Sequence, residues 1–186
     1  MKKYLNNFYE VQKATYQLLT DNLQEIAFKK REDIIVPGQI QKKLFFVKSG
    51  IQMSFFDGKD KRHVMAFTYP PNICAIPNSF ALQQPSQHFL TCLSDSSFYY
   101  ISYDKLSELF YKSQELERLF RKMTEAVLSG LIKRHIELHS LTIEERYKVF
   151  CQRSPQLLHQ VPHKYIASYL GMNPTNFSKL YNNVTF

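Results

Sequence analysis

The stretch VPHKYIASYLGMNPTNFSKLYNN, residues 161 to 183, sets a small Ala167 four residues ahead of Gly171 and follows them with Asn173-Pro174. Two short helices that cross closely need this arrangement. With Ala167 at the crossing, Ile166, Leu170, Met172, Phe177 and Leu180 fall where a helix-turn-helix unit needs apolar side chains. Gly171 supplies a left-handed residue at the end of the first helix. Asn173 caps the second, and Pro174 occupies its first position, where a missing N–H costs nothing.

Phe177, Leu180 and Tyr181 are expected to turn inward, which leaves Thr175, Asn176, Ser178, Lys179 and Asn182 outward. That face is polar, cationic and rich in hydrogen-bonding groups. Set with its N-terminus in a major groove, it offers Lys179 to guanine or phosphate and Asn176 to adenine. His163 and Lys164, at the start of the preceding helix, suit backbone phosphates. The bland alternative is a helical hairpin that only packs.

Upstream the pattern changes twice. Residues 4 to 28 read as helical, with Leu18, Leu19, Leu23 and Ile26 at three- and four-residue steps. From Asp33 to Ile101 the apolar residues come in short runs, broken at Pro37-Gly38, Ser49-Gly50, Asp57-Gly58 and Pro70-Pro71, which suggests a β-barrel or sandwich. Asp57-Gly58 reads as a hairpin turn of the primed type, with positive φ at its centre. After Asp104 the period is helical again, and Gly and Pro are almost absent until Pro155. Leu116, Phe120, Met123, Val127 and Gly130 then form a narrow apolar stripe, which serves either as internal core or as a dimer seam. Thr142-Ile-Glu-Glu145 is a capping box that opens a further helix.

The 186 residues, 44% hydrophobic and 22% charged, suffice for one or two domains with real cores. Formal net charge is +8, and the 60 residues after position 126 carry 7 Lys+Arg against 3 Asp+Glu together with four of the six histidines. Such a density of positive charge suits a polyanionic partner. The start MKKYLNNFYE is neither a signal peptide nor a membrane span, so a cytoplasmic protein without membrane contact is expected. Cys74, Cys92 and Cys151 lie too far apart in sequence to suggest a disulfide framework, an iron–sulfur cluster or a zinc site, and they read as buried thiols.

The order of these parts resembles the Crp/Fnr family of bacterial transcription regulators over about residues 15 to 183. The carriers are PHKYIASYLGMNPTNFSKL, VPGQIQKKLFFVKSG and SSFYYISYDKL, and they look most like the nucleotide-independent branch. The resemblance implies an α+β fold. An effector-type β-roll with flanking helices would span 1–112, a dimerisation helix 113–140, and a helix-turn-helix domain with a truncated wing 141–186. It implies a homodimer on double-stranded DNA with inverted-repeat operators, RNA polymerase as a further partner, and base-reading positions at Pro174, Thr175 and Lys179. The dimer seam would use Leu116, Phe120, Met123, Val127 and Gly130. Because the sequence given stops at Phe186, little of the usual wing is expected.

Cyclic-nucleotide-binding members carry a Gly-Glu pair for the ribose and an Arg-Ser or Arg-Thr pair for the phosphate. Ala75-Ile76 and Ser86-Gln87 stand in those places here. A candidate effector pocket at Ala75, Ile76, Ser86 and Gln87 therefore lacks the cation that a buried phosphate requires, and cyclic AMP is not expected to bind. The effector is either some other small molecule or none. The four-cysteine pattern of the oxygen-sensing members is missing, and no cofactor is expected.

An enzyme would need converging catalytic groups, and the chain has no Gly-rich phosphate loop, G-x-S-x-G or HExxH. HIELH, residues 135 to 139, puts His135 and His139 on one helix face with Glu137 nearly opposite. It is read as an exposed helix rather than a metal site. The rival to a DNA-binding regulator is a ligand-binding or protein-interaction module whose helix-turn-helix does not read DNA.

Overall fold

The computed structural model describes residues 1–183. Two helices, α1 (Lys2–Asn6) and α2 (Lys13–Thr20), precede a roll of eight strands. These are β1 (Gln24–Phe28), β2 (Asp33–Ile35), β3 (Lys43–Ser49), β4 (Gln52–Asp57), β5 (Arg62–Thr68), β6 (Ile73–Cys74), β7 (Phe89–Cys92) and β8 (Ser96–Ser102), with α3 (Pro77–Leu82) between β6 and β7. The strands form two four-stranded sheets, β1-β8-β3-β6 and β2-β7-β4-β5. In the first sheet β8 pairs antiparallel with β1 and β3, matching Ile26 to Phe98 and Phe45 to Tyr100.

The core of the roll is aromatic. Phe45 and Phe98 are almost wholly buried, with ring centroids 5.2 Å apart, and Phe28 meets both edge-on. A second cluster joins Leu5, Leu19, Leu44, Phe46, Leu106 and Leu109 to the start of the long helix. After β8 come α4 (Tyr103–Lys112), α5 (Gln114–Ser140), α6 (Ile143–Arg153), α7 (Leu157–Gln160), α8 (His163–Tyr169) and α9 (Pro174–Asn183). The chain divides into two compact units, one of Met1–Ser54 with Phe67–Leu128, the other of Phe55–Ala66 with the residues from Ser129 on. Among the described residues no helix is long and apolar enough to cross a membrane.

Three expectations need correction. The helical reading of residues 4 to 28 breaks at residues 7 to 12, between α1 and α2, and fails at its end, because Gln24–Phe28 is a strand whose backbone is claimed by β8. Leu23 and Ile26 fit a helical step, but tertiary pairing outweighs so short a period. The Asp57-Gly58 turn is also not of the primed type. The loop runs from Gly58 to Lys61, closed by the Gly58 N–H donating to the Lys61 carbonyl at 2.9 Å, and Gly58 is not among the positive-φ residues. A Cβ there would lie 2.7 Å from Nε2 of His63, whose ring stacks on Phe56, so a larger residue would require the imidazole to shift.

The third correction concerns α5. Leu116 and Met123 are 0% and 1% exposed in the core of their own chain, together with Leu119, and the Phe120 ring packs against Phe110 at 5.4 Å. These residues leave little surface for a second copy. The apolar side chains that α5 does expose lie further along: Val127, Leu128, Leu131, Ile132 and Ile136, at 40 to 58% exposure. Gly130 is exposed, with open space where a Cβ would stand.

Candidate nucleic-acid interface

The helix-turn-helix is assembled from local signals and one aromatic anchor. Thr142 opens α6 through a reciprocal box: its Oγ1 accepts from the Glu145 N–H, and the Glu145 carboxylate accepts from the Thr142 N–H at 2.8 Å. These hydrogen bonds hold the Glu145 carboxyl below its ordinary range. Helix α6 then buries Tyr147, Phe150 and Cys151.

Helix α8 buries Ile166 and Ala167 and ends in a Schellman motif. The Met172 N–H reaches the Ala167 carbonyl at 3.0 Å, and the Gly171 N–H reaches the Ser168 carbonyl at 3.1 Å. Gly171 has φ +65°, and a Cβ there would make only ordinary contacts with Leu138 and Arg146. The backbone conformation, not crowding, selects glycine. Asn173 caps α9 as expected, its Oδ1 accepting from the Asn176 N–H at 2.7 Å, with Pro174 at the first helical position.

Phe177 is the anchor of α9. It is wholly buried, meeting Tyr147 edge-on at 5.6 Å and Tyr181 in a stack at 6.2 Å. Leu180 and Tyr181 are half-buried beside it. The opposite face carries Thr175, Ser178, Lys179 and Asn182 exposed and Asn176 half-exposed. Ser178 donates its hydroxyl to the Pro174 carbonyl, within the helix. Lys164 is exposed at the start of α8, and among the described residues neither it nor Lys179 is ion-paired. Helix α9 therefore presents two amides, hydroxyls and an ammonium group without a carboxylate among them.

His163 does not join this face. Its ring lies 4.9 Å from Phe177 and 4.4 Å from Tyr181, and its Nε2 sits 3.3 Å from the Leu158 carbonyl. The imidazole completes the aromatic cluster that Phe177 anchors.

Two features escaped the sequence. The Ser168 hydroxyl donates to the Arg62 carbonyl at 2.8 Å and accepts from the Val64 N–H at 3.0 Å, so α8 is held by strand β5. Its partners lie 106 and 104 residues away, and no local pattern could name them. Arg134 is likewise consumed internally, stacked 3.5 Å over the Tyr169 ring and donating to the Tyr169 carbonyl.

In the candidate effector region the buried polar groups pair with neutral groups of the chain itself. Ile76 and Ser86 are buried, Ala75 is half-buried and Gln87 is exposed. The Ile76 N–H donates to Oε1 of the fully buried Gln41 at 2.8 Å, and the Gln41 amide donates to the Lys43 carbonyl at 2.8 Å. The Ser86 hydroxyl donates to the His88 carbonyl and accepts from the His88 N–H. These buried polar groups are satisfied without an anion.

No protein-family model matches the chain, and no curated protein matches it in sequence. Solved structures do match. FixK2 from Bradyrhizobium japonicum is similar at 18% identity and TM-score 0.75, over 86% of this chain and 83% of that one. A protein described as a transcriptional regulator of the Crp/Fnr family, from Eubacterium rectale, is similar at 15% identity and TM-score 0.70, over 95% and 86%. A cyclic nucleotide-binding domain from Methylobacillus flagellatus matches at 14% identity and TM-score 0.60, over 73% and 82%. These likenesses join a roll of the cyclic-nucleotide-binding type to the helix-turn-helix built on Ala167 and Gly171, and the chain has the fold of the Crp/Fnr transcription regulators.

Proposed function

We propose that this chain is a DNA-binding transcription regulator of the Crp/Fnr type that acts in the cytoplasm as a homodimer on inverted-repeat operators. The observation that carries the reading is α9. Its buried side is fixed by Phe177, while Thr175, Asn176, Ser178, Lys179 and Asn182 stand together on the other side without a carboxylate. A face with an ammonium group and hydrogen-bonding side chains, and no carboxylate to repel phosphate, suits a DNA groove. Lys179 and Asn176 take the base edges, and Lys164 takes backbone phosphate. Pro174 has no N–H to donate, so part of the discrimination falls to DNA deformability.

Dimerisation uses the exposed side of α5 around Leu128, Leu131, Ile132 and Ile136, not the buried start of that helix. A stripe of this length and apolarity is covered in a stable soluble protein, and a second α5 related by a two-fold axis covers it with like residues. In this reading residues 1–112 act as the sensor roll, 113–140 as the dimerisation helix and 141–186 as the DNA-binding domain. The satisfied amide network around Gln41 and Ser86 supports a roll that takes no cyclic nucleotide. No catalysis belongs to this reading.

The test is selection of bound duplexes from a random pool by the full chain. An inverted repeat with half-sites about one helical turn, roughly 34 Å, apart supports it. A pool that emerges without sequence preference at physiological salt overturns it in favour of a protein-interaction module.

A further inference from the structure

The exposed stripe of α5 contains two residues that a purely apolar seam would not choose. At about 100° per residue, Leu128, Leu131, Ile132, His135 and His139 fall within a sector of about 100°, with the histidines near its middle and Val127 and Ile136 on its flanks. Both histidines are exposed, and their ring centroids are 4.5 Å apart. Two imidazoles one helical turn apart, on one face, form a bidentate pair for a borderline transition metal ion. Glu137 points to the other side, where it meets Arg153 at 3.4 Å, so it does not join them.

A pair alone is half a site. Among the described residues of a single chain no group of three or more His, Cys, Asp or Glu could hold a metal ion, and Cys74, Cys92 and Cys151 are all buried. Zinc in a closed site takes four ligands in a tetrahedron at about 2.0 to 2.1 Å from each nitrogen. A two-fold axis along the α5 seam doubles the pair to four imidazoles. Because His135 and His139 follow Ile132 on the same face, the seam that brings Leu128, Leu131 and Ile132 against their partners brings the four rings together one to two turns further on.

We infer that the dimer binds one divalent transition metal ion of the zinc class between His135 and His139 of the two copies, and that this ion strengthens the dimer. The inference rests on the homodimer reading. Metal makes the C-terminal end of the seam depend on an ion, while Leu128, Leu131 and Ile132 supply contact without it. Binding of an ion to both copies but to neither alone shifts the monomer–dimer equilibrium by mass action.

The experiment uses the full chain, stripped with chelator, with zinc chloride as the probe. Sedimentation equilibrium gives the dimer constant with and without zinc, and calorimetry gives the stoichiometry. The expected result is one zinc per two chains and a dimer constant at least tenfold tighter with zinc. The His135→Ala, His139→Ala double variant should bind no stoichiometric zinc, and its dimer constant, whatever its metal-free value, should be the same with and without zinc. A dimer whose constant zinc does not change, with no stoichiometric binding, overturns the metal site and leaves the homodimer standing. One zinc per chain without a change in association also overturns the shared site. A chain that stays monomeric at 100-fold above micromolar concentration, with or without zinc, overturns the homodimer and the metal site together.

Discussion

Replacing Phe177 with Ala removes the side chain that holds α9 in place. Phe177 is wholly buried and packs against Tyr147 at 5.6 Å, His163 at 4.9 Å and Tyr181 at 6.2 Å. Truncating a buried Phe costs about 3 to 5 kcal/mol, made of lost transfer free energy and the cavity left behind. The upper half of that range applies because the site cannot collapse easily. Helix α8 is tied to β5 through Ser168, and Ala167 and Leu170 are already buried against the turn. Since the chain has two compact units, the loss should be local, and one global unfolding value would hide it.

Native-state hydrogen exchange reads it directly. Amides of α8 and α9 should exchange roughly three to three and a half decades faster in Phe177→Ala, at about 1.4 kcal/mol per decade. Amides of β3 and β8, around Phe45 and Phe98, should change by less than threefold. DNA binding should be lost in proportion to the opened fraction. Phe177→Leu keeps most of the volume and should recover most of the protection. If the α8 and α9 amides accelerate by less than fivefold, Phe177 is not the anchor and the helix is held by something else.

Other outcomes follow from the same structure. Leu128→Glu with Ile132→Glu should give a monomer by sedimentation, whereas Met123→Glu should unfold the roll's helical core before it affects association. Calorimetry with cyclic AMP or cyclic GMP should show no micromolar binding, and binding at that level would mean that the Gln41 and Ser86 network opens to admit an anion. Thr142→Ala should cost about 0.5 to 2 kcal/mol, the usual worth of such a cap, measured as faster exchange at the start of α6. The capping box also predicts a pH dependence. The Glu145 carboxyl is lowered in the folded state by hydrogen bonds from Thr142, so the stability it contributes is present above the ordinary glutamate pKa and is lost as pH falls through the lowered value. Acid titration of α6 protection should show this loss in the wild type and not in Glu145→Gln.

The C-terminal unit was legible because its rules are local. Ala167, Gly171, Asn173 and Pro174 act within a few residues of one another, and each takes the role that its chemistry dictates. The Thr142 box was legible for the same reason. What stayed hidden depends on partners far along the chain. Gln24–Phe28 becomes a strand because β8 offers it an edge, and Ser168 docks on β5 by bonds that span more than a hundred residues. Which part of the α5 stripe packs inward was not legible, because an apolar stripe does not say which part faces the chain's own core. Leu116, Leu119 and Met123 are covered by residues from α1, α2 and α4, and that packing leaves Leu128 to Ile136 as the free stretch. The inward packing of His163 was not legible because an imidazole is also a good aromatic, and its ring lies against Phe177 and Tyr181.

The most direct test of the central claim is the salt dependence of binding to a selected inverted-repeat duplex and to a scrambled duplex, for the wild type, Lys164→Ala and Lys179→Ala. The selected duplex should bind more tightly than the scrambled one at physiological salt. Lys164→Ala should weaken both duplexes alike and lower the slope of log K against log salt by about one counterion per subunit. Lys179→Ala should cost about 1 to 3 kcal/mol per half-site on the selected duplex and much less on the scrambled one. Equal affinity of the wild type for the two duplexes, or binding that neither substitution changes, would contradict the claim that α9 reads DNA.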